Sequence, residues 1–367
     1  MIAGPSQPSA TPGERIVGLD LWRAMLMTAG LLVHGSLWLE TRDLFAWTNY
    51  LSSGTRMGVF FAIAGFLAAR GLQGRTLRGW CEHRLTRLLP PTIFGLAVIC
   101  PTIALLYAAH TGEGAHFAVE AAKLHHLWFM VALCLYTVAA AAYPPLVARL
   151  DRVRELPLPV LLLATAFAGV LLASLVHLVL GADGRTGPLW EERRMIVFLP
   201  VFVMGLALGR CDLSIWHGSG GSSVPLAVLI GVFGWPVLAH ALGCDPGVGG
   251  IAGDIDDILR MAVSPPAAAL LVLRSAATIR RVPAWLDRAV AAALTLYLLH
   301  VPLIMVAHLA MTPLRLDPHI QFLVAVLSSG IAAYQLHHRV VARTPWLAFA
   351  INGVPLPRRH LPVALPA

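Results

Sequence analysis

Apolar residues run along this chain in blocks of about twenty, without the period-two alternation of a half-buried sheet. Each block is long enough to cross roughly 30 Å of hydrocarbon as a helix. The blocks lie at about residues 16–39, 50–69, 88–109, 126–148, 157–181, 195–209, 223–243, 254–273, 289–311 and 318–341. They predict an all-α fold, a polytopic membrane bundle of about ten transmembrane helices.

Composition narrows the class further. Hydrophobic residues make up 57% of the 367 and charged residues only 13%, with a mean hydropathy of +0.73. A soluble chain of this length would suggest two or three domains. Here the blocks recur from end to end, which predicts a single membrane domain over 15–345. A flexible tail at 1–14 and a C-terminal tail at 346–367 flank it.

Basic residues set the orientation, because short loops rich in Lys and Arg stay in the cytoplasm. The stretch "RGLQGRTLRGWCEHRLTR" holds Arg70, Arg75, Arg78, Arg84 and Arg87. Alternate connections on its side collect most of the remaining arginines. The opposite side keeps Arg42, Arg56, Lys123, Arg185, Arg193, Arg194 and Arg315, together with Asp245, Asp254, Asp256 and Asp257. Both termini are therefore expected in the cytoplasm and the protein in a bacterial inner membrane. The net charge of +8 reflects this asymmetry and contact with membrane lipids; no soluble basic module is predicted, and nucleic acid is not an expected partner.

The first residues lack the basic region, apolar core and cleavage site of a signal peptide. The five cysteines show neither a CxxC nor metal-ligand spacing with His, so no metal site is expected. "HGSGGSS" at 217–223 reads as a flexible loop, and Pro144-Pro145 and Pro265-Pro266 as helix ends or kinks.

The first block, "GLDLWRAMLMTAGLLVHGSLW", carries Asp20, Arg23 and His34. At about 100° per residue, Arg23 and His34 lie within roughly 20° of one another, and Asp20 within about 60° of both. The stripe is about 21 Å long, and ionisable groups in hydrocarbon are expected to face a protein interior or water. It therefore predicts a polar cavity. Two plainer readings fit the same residues: an Asp20–Arg23 ion pair at the headgroup boundary, and a His34 that only holds helices together.

Other crossings carry similar intrusions. "TLYLLHVPL" places Tyr297 and His300 near mid-membrane, "LHHLWFM" places His126 and Trp128 at a crossing's end, and Arg56 heads "RMGVFFAIAGFL". Trp128 also fits an interfacial aromatic belt and Arg56 a snorkelling charge. Arg84 and Arg87 share one face in "HRLTRLLPP". Paired guanidinium forks suit a phosphate-bearing ligand, and they equally suit positive-inside anchors.

Taken in order, "LDLWRAMLMTAGLLVHGSLW", "RMGVFFAIAGFL", "HRLTRLLPP", "HHLWFMVAL", "FLPVFVMGLALG" and "LTLYLLHVPL" resemble the successive signature segments of the membrane acyltransferase-3 family. The Asp-x-x-Arg-Ala opening, the Arg-Met before the double Phe, and His-Leu-Trp-Phe are most similar to the glucan biosynthesis protein C branch, whose members succinylate periplasmic glucans. Two positions depart from the family pattern. Ala64-Gly65-Phe66 stands where Ser-Gly-Phe or Ser-Gly-Tyr is usual, and Leu133 where many sugar O-acetylating members carry an acid.

The resemblance implies transfer of an acetyl or succinyl group from cytoplasmic acyl-coenzyme A to a hydroxyl of an extracytoplasmic glycan, with no tightly bound cofactor. It implies His34 as the essential histidine, with Asp20 and Arg23 preceding it in the catalytic set. Arg84 and Arg87 become the coenzyme-holding motif. Arg56, His126, Trp128, Tyr297 and His300, the intrusions read from the other crossings, are expected as substrate contacts. Imidazole chemistry is compatible with a general base and with an acyl-histidine intermediate. The competing class is a transporter or flippase that uses the Asp20, Arg23 and His34 stripe as a proton or substrate pathway; such proteins more often show inverted repeats and broken helix pairs.

Overall fold

The structure, a computed structural model, describes residues 16–37, 46–112, 117–142, 149, 152, 156–180, 190–210, 222–243 and 250–356. Among these residues every regular element is helical. The expectations for the 1–14 tail, Pro144-Pro145, Cys211 and Cys244 fall outside them, as does most of 217–223.

Helix α1 spans Val17–Leu37 and α2 Ala46–Leu72. Helix α3, Leu77–Thr111, is one long rod interrupted by a π-turn at Gly95–Ile99, just beyond Pro90 and Pro91. Its start is capped by Thr76, whose hydroxyl accepts from the Gly79 N–H at 3.2 Å. A short helix Phe117–Ala122 and a 3-10 turn His125–Leu127 lead into α4, Trp128–Ala142. There follow α5 Leu158–Leu180, α6 Trp190–Val197, α7 Leu199–Leu208 and α8 Ser223–Ala241. Then come α9 Gly250–Ile258, a π-turn at Leu259–Val263, α10 Ser264–Thr278 and α11 Ala284–Met311. Helix α12, Pro318–Leu336, ends in a π-turn at His337–Val341, and α13 is Pro345–Asn352.

Eight helices among the described residues are long and apolar enough to cross a membrane. Two of the ten expected crossings are not among them. Helix α1 has the length, but Asp20, Arg23 and His34 dilute its apolar character. The block at 195–209 is divided at Phe198 into α6 and α7, with Pro200 in the first turn of α7. Pro265-Pro266 acts as expected, opening α10 directly after a π-turn.

Among the described residues helices α2 and α7 share the most extensive interface, and α10 and α1 flank α2. The backbones of α2 and α7 meet at Gly65 and Gly205: a Cβ on Gly65 would run into the Phe202 carbonyl, and one on Gly205 into that of Ala62. Small residues at a crossing point are what permit such contact in apolar surroundings. Perimeter helices differ. Phe167 and Leu178 on α5 are 68% and 81% exposed and Ile230 on α8 is 66% exposed, the pattern of surfaces facing lipid. Helix α13, inside the expected C-terminal tail, packs on α3 and α11.

Candidate functional site

Among the described residues, two chambers between the helices are lined by residues expected from the sequence to form the site. The first, of about 620 Å³, contains His34, Arg56, His126, Trp128, Arg194, Tyr297 and His300 in its wall. Seven segments contribute: α1, α2, the far half of α3, the turn into α4, the start of α4 itself, α6 and α11.

Three histidines meet there. The His34 ring lies 4.9 Å from His300 and 6.1 Å from His126, centroid to centroid, and His126 lies 4.9 Å from His300. His300 and His126 are each fixed by a local device. His300 Nδ1 sits 2.7 Å from the Tyr297 carbonyl one turn back. That contact makes Nδ1 the protonated nitrogen and leaves Nε2, which is buried without a hydrogen-bond partner, as an acceptor. His126 is turned inward by the 3-10 turn, in which His125 adopts a left-handed φ of 47°. Both ring nitrogens of His126 are buried without a partner, and its carbonyl accepts from the Tyr297 hydroxyl. Among the described residues no group of His, Cys, Asp or Glu is arranged to hold a metal ion.

Two guanidinium groups border the histidines. A Cβ on Gly30 would collide with Arg56 Nη1, so the bare backbone one turn before His34 lets Arg56 lie against α1. Arg56 Nε is buried without a partner. The Arg194 guanidinium lies over the Trp128 ring at 5.3 Å. Behind Trp128, the helix break at Phe198 inserts a fully buried ring that stacks on Trp128 at 6.0 Å and on Phe61 at 5.6 Å. Such a wall leaves the indole little freedom to move.

The second chamber, of about 370 Å³, is lined by Arg23, Arg75, His83, Arg84 and Arg87 with an apolar floor. Arg84 is the most firmly placed. Its Nε donates to Thr137 Oγ1 at 3.3 Å, and its guanidinium lies 5.6 Å from the Trp80 ring centre. Trp80 is itself anchored, its Nε1–H donating to the Ala68 carbonyl at 2.8 Å. Arg75 and Arg87 are exposed. Ala64 and Leu133, the two departures from the family pattern, both face this chamber.

Met27, Phe60, Phe129 and Tyr297 border both chambers. The stripe read from the first block therefore does not line one cavity. Arg23 reaches the arginine chamber, Met27 stands at the shared wall, and Gly30 and His34 reach the histidine chamber. Asp20 lines neither chamber and lies 3.6 Å from Arg23, the plainer of the two expectations for it. The remaining site residues gather as grouped from the sequence: Arg56, His126, Trp128, Tyr297 and His300 around His34, and Arg84 with Arg87.

Arg194, Asn49, Ser52 and Tyr107 also line the histidine chamber and were not singled out in the sequence. In the sequence Arg194 reads as one of the loop charges opposite the basic side. The signal that could have found it is its place four residues before Phe198, at the mouth of a block that Pro200 cannot continue unbroken.

Chemically, the first chamber offers imidazole nitrogens as proton acceptors beside two permanent cations that can stabilise a developing negative oxygen. The second offers guanidinium forks suited to phosphate. No curated protein and no solved structure matches the chain. The acyltransferase-3 family, described as an acyltransferase domain, matches residues 16–337, nearly the whole chain and both chambers. The chain belongs to that family and is a membrane acyltransferase.

Proposed function

We propose that the protein is an inner-membrane O-acyltransferase of ten crossings with both termini in the cytoplasm. It moves an acetyl or succinyl group from cytoplasmic acyl-coenzyme A to a hydroxyl of an extracytoplasmic glycan. The observation that carries this reading is the division of α1: one helix face runs from the arginine chamber, past a shared wall, to the histidine chamber. Arg23 and His34 are about 16 Å apart along that face. Donor phosphates and reacting carbonyl can thus be held at different depths by one rigid element.

Arg84 and Arg87 hold the phosphates at the basic end while the pantetheine arm extends inward along α1. In the histidine chamber His34 takes the proton of the acceptor hydroxyl as its oxygen attacks the thioester carbonyl. The C–O bond forms, the carbonyl oxygen gains negative charge between Arg56 and Arg194, and the C–S bond then breaks. The proton held by His34 ends on the departing sulfur, giving free thiol and ester with no redox partner. His126 and His300 flank His34 and line the path by which the proton moves.

Mass spectrometry of envelope glycans from cells with and without the gene tests this reading, because it reports acyl mass and acceptor together. Purified protein in vesicles should release free coenzyme A only when donor and glycan are both present. Accumulation of labelled substrate inside vesicles with no acyl product would instead identify the transporter class.

A further inference from the structure

Asn49 and Ser52 line the histidine chamber and take no part in the acyl-transfer steps above. With Arg56 they fall within about 60° of one another on α2 and span about 10 Å of it. Arg56 lies against Gly30, one turn before His34 on α1. Asn49 sits in the first turn of α2 and is tied to α1 just beyond His34: its Nδ2 donates to Ser36 Oγ at 2.8 Å, and Ser36 is fully buried. The tie joins the last turn of α1 to the first turn of α2, at the ends of both helices away from the arginine chamber.

Ser52 departs from the habit of hydroxyls on these helices. Thr28, Thr55, Thr92, Thr137 and Thr165 each donate to the carbonyl four residues back. Ser52 is only 8% exposed, yet its Oγ is buried with no hydrogen-bond partner. A buried hydroxyl left unpaired destabilises the fold, and one in a cavity wall is accounted for when a bound molecule supplies the partner. A hydroxyl and a primary amide each donate and accept. They therefore match another hydroxyl, whereas a carboxylate or an ammonium would use only half of that capacity.

We propose that Asn49 and Ser52 form the acceptor subsite, and that it takes a neutral polyhydroxylated sugar. Hydroxyls of the sugar pair with the Ser52 hydroxyl and the Asn49 amide while a neighbouring hydroxyl, the one to be acylated, meets His34. This rests on the acyl-transfer reading above. The two substrates then approach His34 from opposite ends, the donor along α1 from the arginine chamber and the acceptor along α2 from its first turn.

The test uses full-length protein in proteoliposomes, acetyl- or succinyl-coenzyme A as donor, and envelope glycans extracted from cells lacking the gene as acceptor. Free coenzyme A release is followed against glycan and donor concentration separately. Ser52→Ala should raise the glycan KM by about 2- to 12-fold, the loss of one hydrogen bond between neutral groups, with the donor KM in place. Asn49→Ala should move the glycan KM in the same direction. Without substrate, Ser52→Ala should unfold at the same temperature as wild type or higher, because the deleted hydroxyl has no partner in the fold. A role in packing alone predicts the reverse pair, a lowered unfolding temperature with the glycan KM unmoved. That result overturns the subsite, as does a rise in the donor KM in place of the glycan KM; either leaves acyl transfer intact. No coenzyme A release by wild type with either donor overturns the acyl-transfer reading itself, and the subsite with it.

Discussion

The two chambers are built in opposite ways. The histidine chamber gathers its polar groups from segments as distant as α1 and α11 and embeds them among stacked rings. The arginine chamber takes Arg75, His83, Arg84 and Arg87 from one stretch of chain, residues 75–87, adds Arg23 from α1, and leaves Arg75 and Arg87 exposed. Preorganised groups held by packing suit a step in which charge develops at a fixed point. Exposed guanidiniums on one short stretch of chain suit capture of a charged ligand arriving from water. The contrast predicts that substitutions in the first region act on turnover and those in the second on donor affinity.

His34 offers the hardest test of that division. His34→Ala should lower transfer by about two to four orders of magnitude, the usual contribution of a positioned base, with the donor KM little changed. His34→Gln should be equally inactive, since it keeps much of the volume and hydrogen bonding but is no base at neutral pH. Both variants should insert normally, because apolar blocks and arginine asymmetry set topology. An active, stable Gln variant would reduce the histidine chamber to packing and erase the contrast.

On the other side, Arg84→Ala should raise the donor KM by about 10- to 150-fold, the equivalent of roughly 1.5 to 3 kcal/mol for a charge-assisted bond. Arg87→Ala should cost less, since Arg87 is exposed where Arg84 is braced by Thr137 and Trp80. Lys at position 84 should restore only part of the affinity, having charge without the fork. A turnover defect with unchanged KM would move Arg84 from donor capture to catalysis.

How legible each region was follows from the same difference. The arginine pair could be read directly, because i and i+3 on one helix share a face whatever the rest of the chain does. Eight of the ten apolar blocks were equally plain, since apolar length is a local property. The histidine chamber was not readable from spacing alone. Nothing local relates His34 to His126 or His300 beyond their being polar intrusions in separate apolar crossings. Arg194 escaped both routes: its position depends on the break at Phe198, which packs against Trp128 and Phe61 from other helices. Asp20 shows the converse limit. Helical angle predicts a shared stripe, but it does not say where along that stripe the wall between two cavities falls.

A remote position sharpens the contrast further. Gly353 has a φ of +62°, and a Cβ there would meet the Arg87 carbonyl. It ends α13 where that helix packs on α3. Gly353→Ala forces a left-handed residue into that contact, at a cost of about 1–2 kcal/mol. Thermal unfolding should shift down, and the donor KM should rise as the Arg87 turn moves. Turnover at saturating donor should change little. A turnover loss matching that of His34 variants would mean the two chambers move as one body.

The smallest expected effect falls on Trp128. Its ring carries the Arg194 guanidinium at 5.3 Å, while its other contacts, with Phe61 at 5.8 Å and Phe198 at 6.0 Å, are apolar. Trp128→Phe keeps a π-face for the cation but a weaker one, and leaves a void smaller than a whole ring. Cation–π contacts contribute about 0.5–2 kcal/mol, least at exposed sites and most when desolvated, and the Phe variant retains part of that. Turnover should therefore fall by about two- to fivefold, with donor KM unchanged. A double-mutant cycle with Arg194→Ala separates the contact from general loosening of the wall. If Trp128 acts by steering Arg194, the Phe substitution adds almost nothing once Arg194 is gone. If instead the two losses multiply, the indole contributes through the packing around Phe198 and Phe61, and Arg194 reaches its position without help from the ring.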